Sequence, residues 1–423
     1  MTTSEFIAGN LSGDIRTLAL QASHYPDVDM PYALDQISGW QTARHKLPML
    51  SAHKDIVYPP RISMEQCSSE ATALYKCGVA RAWIESAVSQ YQIPQSATSM
   101  TDLTGGFGID FMYLSRCFAN SLYVERNPHL CDVACRNFST LHMSASRVEC
   151  ATAEQVLPTL PHQTMIYLDP ARRDVNGART FAIADCTPNV CDLLPELIYR
   201  AFFTMIKLSP MLDWHKAIAD LGGLVREVHI VSVAGECKEL LLVLSSSTSQ
   251  TDDIHIHLVD LPSKPSVNAI EQAKTFSYSL SEESQPLDES AIPCPIQSSP
   301  VTDMPHYLYE PNASIMKAGC FGILQRRYPV SSISVNSHLF VSQQMLADFP
   351  GRQFAIDRVT TFNRKMLGKA LSGIERANIT VRNFPMSVAD LRKRLKLRDG
   401  GDVYIFATTT AEGTHMLYVC HKV

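Results

Sequence analysis

Between Met100 and Leu244, short apolar runs alternate with amphipathic segments, and this alternation constrains the fold more than any other feature. Strands are predicted near 100–103, 121–125, 147–150, 165–169, 204–208, 228–233 and 239–244, with helices beginning near Gly108, Pro128, Ala153, Asn189 and Asp213. Such a pattern favours a largely parallel sheet with helices on both faces. The last two strands are joined only by Ala234 to Lys238. A parallel crossover needs about a dozen residues, so this final pair is expected to be antiparallel.

The densest chemical signal follows the first of these strands, in Asp102-Leu103-Thr104-Gly105-Gly106-Phe107-Gly108. Glycines in a strand-to-helix turn allow positive φ and close approach of a ligand to the backbone. A dinucleotide fingerprint needs a third glycine, and reading from Gly106 that place holds Phe111, which disfavours nicotinamide and flavin cofactors. Glu125 ends the next strand 17 residues beyond Gly108, where a carboxylate can accept hydrogen bonds from ribose hydroxyls. A third signal, Ile166 to Arg173, runs an apolar strand into Asp169-Pro170-Ala171-Arg172-Arg173 on the same sheet edge. There Asp169 can accept a hydrogen bond from an incoming amine, Pro170 fixes the turn, and Arg172 and Arg173 can hold phosphate.

These three segments resemble the glycine motif, ribose acid and catalytic strand-end motif of class I S-adenosylmethionine-dependent methyltransferases. The resemblance is closer to the bacterial subfamily with a THUMP-like C-terminal domain, whose wording is matched by Glu65 to Thr72, Asp102 to Gly106, Asp169 to Arg173, Lys207 to Asp213 and Tyr309 to Ala313. The core is also similar to trimethylguanosine synthase, an RNA guanine-N2 enzyme. The resemblance implies a Rossmann-like α/β sheet of five βα units closed by an antiparallel hairpin. It also implies an N-terminal helical cap, small α+β C-terminal domains, S-adenosyl-L-methionine as cofactor and RNA (tRNA or rRNA) as partner. It places Asp169, Pro170 and Arg172 in catalysis. Cofactor contacts fall to Asp102, Thr104, Gly105, Gly106, Gly108, Glu125, Arg126, Gln66 and Ser68. Arg173 and Ser209 face the substrate.

Two departures narrow the chemistry. Thr104 stands where the general pattern has its first glycine, and Ala171-Arg172 where amino-methylating enzymes commonly carry a proline and an aromatic. Pyrimidine C5 methylation needs a thiolate nucleophile, and neither 169–173 nor 207–213 contains cysteine. Transfer to a nitrogen or oxygen, driven by proximity and alignment, is what remains.

Ahead of the sheet, residues 1–95 are expected to form the helical cap, with one helix opening on a Ser63/Gln66 capping box and running through Val88. The remaining divisions are expected at 96–250 for the methyltransferase domain, 251–328 for a small, ferredoxin-like intermediate module, and 329–423 for a THUMP-like domain. Ser263 to Pro305 is rich in Ser, Pro and Glu and reads as a linker or loop-rich module. Helices are expected over 312–325, 337–346 and 356–374, and strands over 402–408 and 415–421.

Charge is distributed unevenly. Residues 352–398 hold twelve Lys/Arg against three acids, a net +9 within a chain whose total is −5. A polyanion-binding module on an acidic body gives this split, and Arg392, Arg394 and Lys396 are the expected phosphate contacts. Twelve cysteines without paired Cys-x-x-Cys spacing suit reduced thiols, and Cys131/Cys135 and Cys186/Cys191 lack the second pair of a structural zinc site, so no metal is expected. Met1 to Ser23 lacks the flank and apolar stretch of a signal peptide, and no run approaches bilayer length. A cytoplasmic monomer is the expectation. Two other readings share these observations: a catalytically silent RNA-binding protein that keeps the fold, and a small-molecule methyltransferase.

Overall fold

A computed structural model of the chain describes residues 1–172, 182–246, 253–262, 272–286 and 305–423. It divides into two compact units, one built mainly from residues 1–254 and the other mainly from 274–423.

The first unit opens with helices. Phe6, Leu18, Val28, Met30, Ala33 and Ile37 bury a small core around α1 (Met30–Lys46), whose N-terminus is capped by Asp29. Gly39 on α1 lies against Tyr58 so closely that a Cβ would come within 2.3 Å of the tyrosine Cβ. The predicted single helix from Ser63 is instead two. α2 (Arg61–Gln66) follows Pro60 without a side-chain cap, and α3 (Glu70–Tyr91) begins afresh after Cys67, Ser68 and Ser69. The capping residue is Ser69, whose hydroxyl accepts from the Thr72 N–H at 3.3 Å. The break brings Ser68 inward, with consequences described below.

The sheet of this unit comprises β1 (Ser99–Asp102), β2 (Asn120–Glu125), β3 (Ser146–Cys150), β4 (Gln163–Leu168), β5 (Ala201–Leu208), β6 (Val225–Val233) and β7 (Glu236–Leu244). Their spatial order is 3-2-1-4-5-7-6. β1 pairs in parallel with β2 and β4, β4 with β5, and β7 runs antiparallel to β5. All six residues of β4 are buried, as a central parallel strand covered on both faces requires. Ala234 and Gly235, at φ +53° and +79°, turn β6 directly into β7, the left-handed backbone that a two-residue hairpin demands. This is the expected Rossmann-like order with its antiparallel closure. α4 (Ile109–Leu114) follows β1, and α5 (Pro128–Thr140) follows β2. Asn137 on α5 both donates to and accepts from the backbone of Val57, at 2.9 and 2.8 Å, which ties the N-terminal helices to the sheet layer.

The second unit contains the antiparallel pair β8 (His255–Leu261) and β9 (Lys274–Ser279). It also holds a seven-stranded sheet of β10 (Tyr307–Pro311), β11 (Ser331–Ser332), β12 (Phe340–Ser342), β13 (Gly351–Thr361), β14 (Asn378–Arg382), β15 (Val403–Thr409) and β16 (His415–Lys422). β14 and β15 are parallel and joined through α7 (Val388–Leu395); α6 (Arg364–Ala370) follows β13. Ile405, Ala407, Leu417 and Val419 pack on one face with Leu367 of α6 and Leu391 of α7, whereas Phe406, Tyr418 and Cys420 pack on the other with Phe354.

Three helix expectations fail here. Gly319, at φ +75°, ends a helix at Ala318 and forces a restart at Phe321. Residues 340–342 form strand β12, and 351–361 form β13 before α6 starts. Pairing with strands distant in sequence governs these last two segments, and their short apolar runs fit either period. Most of the Ser/Pro/Glu-rich stretch 263–305 lies outside the described residues.

Candidate functional site

The β1–α4 loop is shaped by contacts that each require its residue type. A Cβ on Gly105 would sit 2.1 Å from the ring of Tyr123, so no larger residue fits while that ring stays in place. Gly106 and Gly108 hold φ of +57° and +86°, conformations that glycine adopts freely. The Gly106 N–H donates to Glu125 Oε2 at 2.9 Å, and the Asn127 N–H donates to Glu125 Oε1 at 2.8 Å. Each carboxylate oxygen thus has one backbone donor and a further acceptor site open. Tyr123 donates its hydroxyl to the Gly106 carbonyl at 2.5 Å.

Asp102, at the end of β1, is 1% exposed and accepts from the Thr104 N–H at 2.9 Å. Burial pushes its carboxyl well above the usual range; the Thr104 N–H opposes this, and Asp110, Asp169 and Glu125 add repulsion. The Thr104 hydroxyl accepts from the backbone N–H of Asp169 at 2.6 Å, joining the β1 and β4 strand ends. The Asp169 carboxylate in turn is paired with the ammonium of Lys207, near the end of β5. Burial disfavours the charge of Lys207, but Asp169, Asp110 and Glu239 more than offset this and hold its pKa above the ordinary lysine value.

Beneath this edge lies a buried polar network. Lys76 of α3 is wholly buried, 3.1 Å from Asp110 Oδ1 and 2.7 and 2.8 Å from the two oxygens of Glu239. Ser68 and Tyr167 each donate a hydroxyl to Asp110 Oδ2 at 2.7 Å, and Lys76 donates to Ser68 at 3.2 Å. Burial alone would raise the Asp110 carboxyl; Lys76, Lys207 and the two hydroxyls overcome it and leave the pKa lowered. Ser68 is therefore bound into this network, while Gln66 is exposed.

One cavity of about 1110 Å³ runs along this sheet edge. Its lining includes Gln66, Ser68, Asp102, Thr104, Gly105, Gly106, Gly108, Glu125, Arg126, Asp169, Pro170 and Ser209 together with Lys207 and Glu239. That volume is above the range of roughly 300–1,000 Å³ typical of a single-ligand pocket, so it can hold two reactants side by side. Arg172 lies in a two-residue ladder with Cys186, and Arg173 falls outside the described residues.

The three basic residues expected to meet phosphate lie in the second unit, and two are occupied. Arg392 pairs with Asp399 at 2.7 Å and donates to the Ala377 carbonyl at 3.0 Å. Arg394 lies over the Phe362 ring at 4.5 Å. Lys396, exposed at φ +58°, ends α7.

Sequence reasoning did not single out Lys76, Asp110 or Glu239, and it met Lys207 only as the start of the Lys207–Asp213 match, with no role. Their one signal is a charge inside an apolar run, as in Phe203-Thr204-Met205-Ile206-Lys207-Leu208 or Glu239 ahead of Leu240 to Leu244. Such charges are almost never fully buried unless paired.

Comparison with known proteins adds the following. Residues 351–422 match a THUMP domain-like family model, and residues 307–350 match one described as a ferredoxin-like domain. A candidate methyltransferase of known structure from Porphyromonas gingivalis W83 is similar at 29% identity and a TM-score of 0.77, over 100% of this chain and 97% of that one. A SAM-dependent methyltransferase from Agrobacterium tumefaciens aligns at 15% identity and a TM-score of 0.29, over 40% of this chain and 61% of its own. An rRNA methylase from Streptococcus thermophilus aligns at 9% identity and a TM-score of 0.30, over 40% of this chain and 95% of its own. Scores this low carry no argument about the present chain. No curated protein sequence matches it. Among the described residues, no helix is long and apolar enough to cross a membrane.

Proposed function

The chain has the class I methyltransferase fold and a THUMP-like C-terminal domain, and from that premise we propose that it is an S-adenosylmethionine-dependent methyltransferase acting on a nitrogen or oxygen of RNA in the cytoplasm. The observation that carries the reading is Glu125. Its carboxylate is pinned by the Gly106 and Asn127 N–H groups, yet retains free acceptor sites facing the same cavity as the Asp169–Lys207 pair. A ribose diol needs such a preset acceptor. When bound, the cofactor supplies an electrophilic methyl on a sulfonium.

The remaining work belongs to the chain's own residues. Glu125 and the Gly105–Gly106 turn hold the nucleoside end. The buried Asp102 carboxyl fixes the turn through Thr104. Asp169 holds the acceptor's N–H or O–H and can take its proton as the new bond forms. Lys207 keeps that carboxylate in place, and the dominant contribution is alignment of the reacting atoms. The THUMP-like match and the +9 stretch support RNA as the acceptor.

Two measurements test this. Calorimetry should show cofactor binding that Glu125→Ala weakens by about 1–3 kcal/mol, the scale of lost hydrogen bonds to a charged group. Incubation with methyl-labelled cofactor and total RNA, followed by digestion to nucleosides, should yield one labelled nucleoside. Tight cofactor binding with no transfer to any RNA would instead favour the silent binding protein.

A further inference from the structure

The +9 stretch separates into two classes once side-chain partners are considered. Arg352 and Arg382 pair with the buried Glu310, Arg358 donates to the Ala370 carbonyl, and Arg376 donates to that of Asp399. Arg392 and Arg394 are engaged as described above. These six hold the unit together. The other six, Arg364, Lys365, Lys369, Lys393, Lys396 and Arg398, are all exposed, and none has a side-chain hydrogen bond or ion pair among the described residues.

The free cations occupy one layer. Arg364, Lys365 and Lys369 lie on α6, Lys393 on the last turn of α7, Lys396 at its C-cap, and Arg398 two residues further on. α6 and α7 pack through Leu367 and Leu391 onto the same face of the sheet, and the stacking of Arg394 on Phe362 joins the end of α7 to the residues leading into α6. Lys365 and Lys369 are four residues apart on α6 and so share a helix face.

We propose that the outer surface of the α6–α7 layer is the RNA-docking face of this protein, contacting the phosphate backbone through the six unpaired cations and not through Arg392 or Arg394. The assignment rests on the RNA reading above and adds its location. Cations spread over two helices and a following turn suit successive phosphates along a strand better than one small anion. An anionic membrane fits less well. Interfacial helices bury a broad apolar face beside their basic one, and the large apolar side chains exposed on α6 and α7 are Met366 and Val388. The acids nearby are few and largely engaged: Asp390 with the Ser387 hydroxyl at 2.6 Å and Asp399 with Arg392 at 2.7 Å, while Glu375 lies before β14.

The test uses the full chain, a labelled single-stranded RNA oligomer and filter binding across a salt series. The triple variant Lys365→Gln/Lys369→Gln/Lys393→Gln removes three charges that have no structural partner, so its melting temperature should equal that of the parent. Each lost phosphate contact should flatten the logarithmic salt slope by about 0.7, a total of about two units, with cofactor affinity unchanged. RNA binding with an unaltered slope in the triple variant overturns the docking face while leaving an RNA substrate in place. A parent that fails to bind RNA at any salt overturns both. Sedimentation with phosphatidylserine vesicles separates the membrane alternative: binding of the parent to vesicles and not to RNA, lost in the triple variant, would overturn the RNA assignment for this surface.

Discussion

The backbone N–H of Asp169 donates to the side-chain hydroxyl of Thr104 at 2.6 Å. The hydroxyl thus fixes the first residue beyond β4 relative to the loop beyond β1, the two edges between which the reactants must align. A glycine at position 104, as in the general family pattern, would leave this N–H without that partner. The departure from the pattern is therefore tied to the placement of Asp169.

Replacing Thr104 tests the tie. Thr104→Val keeps the shape and removes the acceptor, which should cost about 1–2 kcal/mol of transition-state stabilisation, near tenfold in kcat. Thr104→Ser should retain most of the parent rate. Steady-state kinetics on both variants decide the matter, and equal rates for Val and Ser would show the hydroxyl to be unimportant.

Lys207 should act on transfer and not on cofactor retention. Lys207→Gln leaves Asp169 without its cation, a loss of about 1.5–3 kcal/mol for a hydrogen bond to a charged group. The pH sign follows from the raised lysine pKa. Stability contributed by Lys207 is fully present below the unfolded value of about 10.4 and is lost as pH rises through the higher folded value. Between about pH 6 and 9 the residue stays charged, so the rate ratio of parent to variant should be flat. A ratio that changes tenfold across that window would show that Lys207 titrates during turnover.

The Lys76 network should be costly to break. Removing one member of a buried ion pair strands the other, a loss of about 3–5 kcal/mol. Lys76→Met should therefore lower the urea midpoint strongly. Asp110 sets the acid limb, because its carboxyl is held below its ordinary value. Its contribution is present above the unfolded value of about 3.9 and is lost as pH falls through the depressed folded value. Without Lys76 that depression shrinks, so the variant should lose less stability on acidification than the parent. Urea titrations from about pH 3 to 7 read both effects.

The parallel strands were legible because they are continuous apolar runs with regular spacing, as in Met165 to Leu168, and the glycine turn because Gly105, Gly106 and Gly108 closely follow the strand that ends on Asp102. The second unit was harder. Residues 340–342 and 351–361 are strands whose register depends on partners distant in sequence, as when Tyr309 pairs with both Phe340 and Gln353. No local period encodes such pairings. The buried network was hidden for a similar reason: Lys76 meets Glu239 across 163 positions. The charge asymmetry was visible, but which arginines are occupied was not, since the partners of Arg358 and Arg392 are backbone carbonyls that any sequence offers.

Gly105 offers the sharpest steric test, because its neighbour is a fixed ring. A Cβ there would lie 2.1 Å from Tyr123 Cε2 and 2.4 Å from Cζ, far inside any allowed contact. Tyr123 is fully buried, rests edge-on against Phe111 and Phe138 at 5.6 and 5.4 Å, and is anchored by its hydroxyl to Gly106. The ring cannot swing away, so Gly105→Ala must displace the loop, at a cost on the scale of overpacking, about 1–3 kcal/mol. Displacing the loop also moves the Gly106 N–H off Glu125, so cofactor affinity should fall together with stability. Tyr123→Phe leaves the ring in place and should not relieve the clash. Tyr123→Val removes the clashing atoms and should partly restore cofactor binding to the Gly105→Ala chain, at its own cost in packing. A double-mutant cycle on melting temperature and cofactor affinity measures this directly: a coupling energy of about 1 kcal/mol or more is expected for Gly105→Ala with Tyr123→Val and near zero with Tyr123→Phe. Equal coupling in both cycles would mean that the ring does not determine why glycine is needed here.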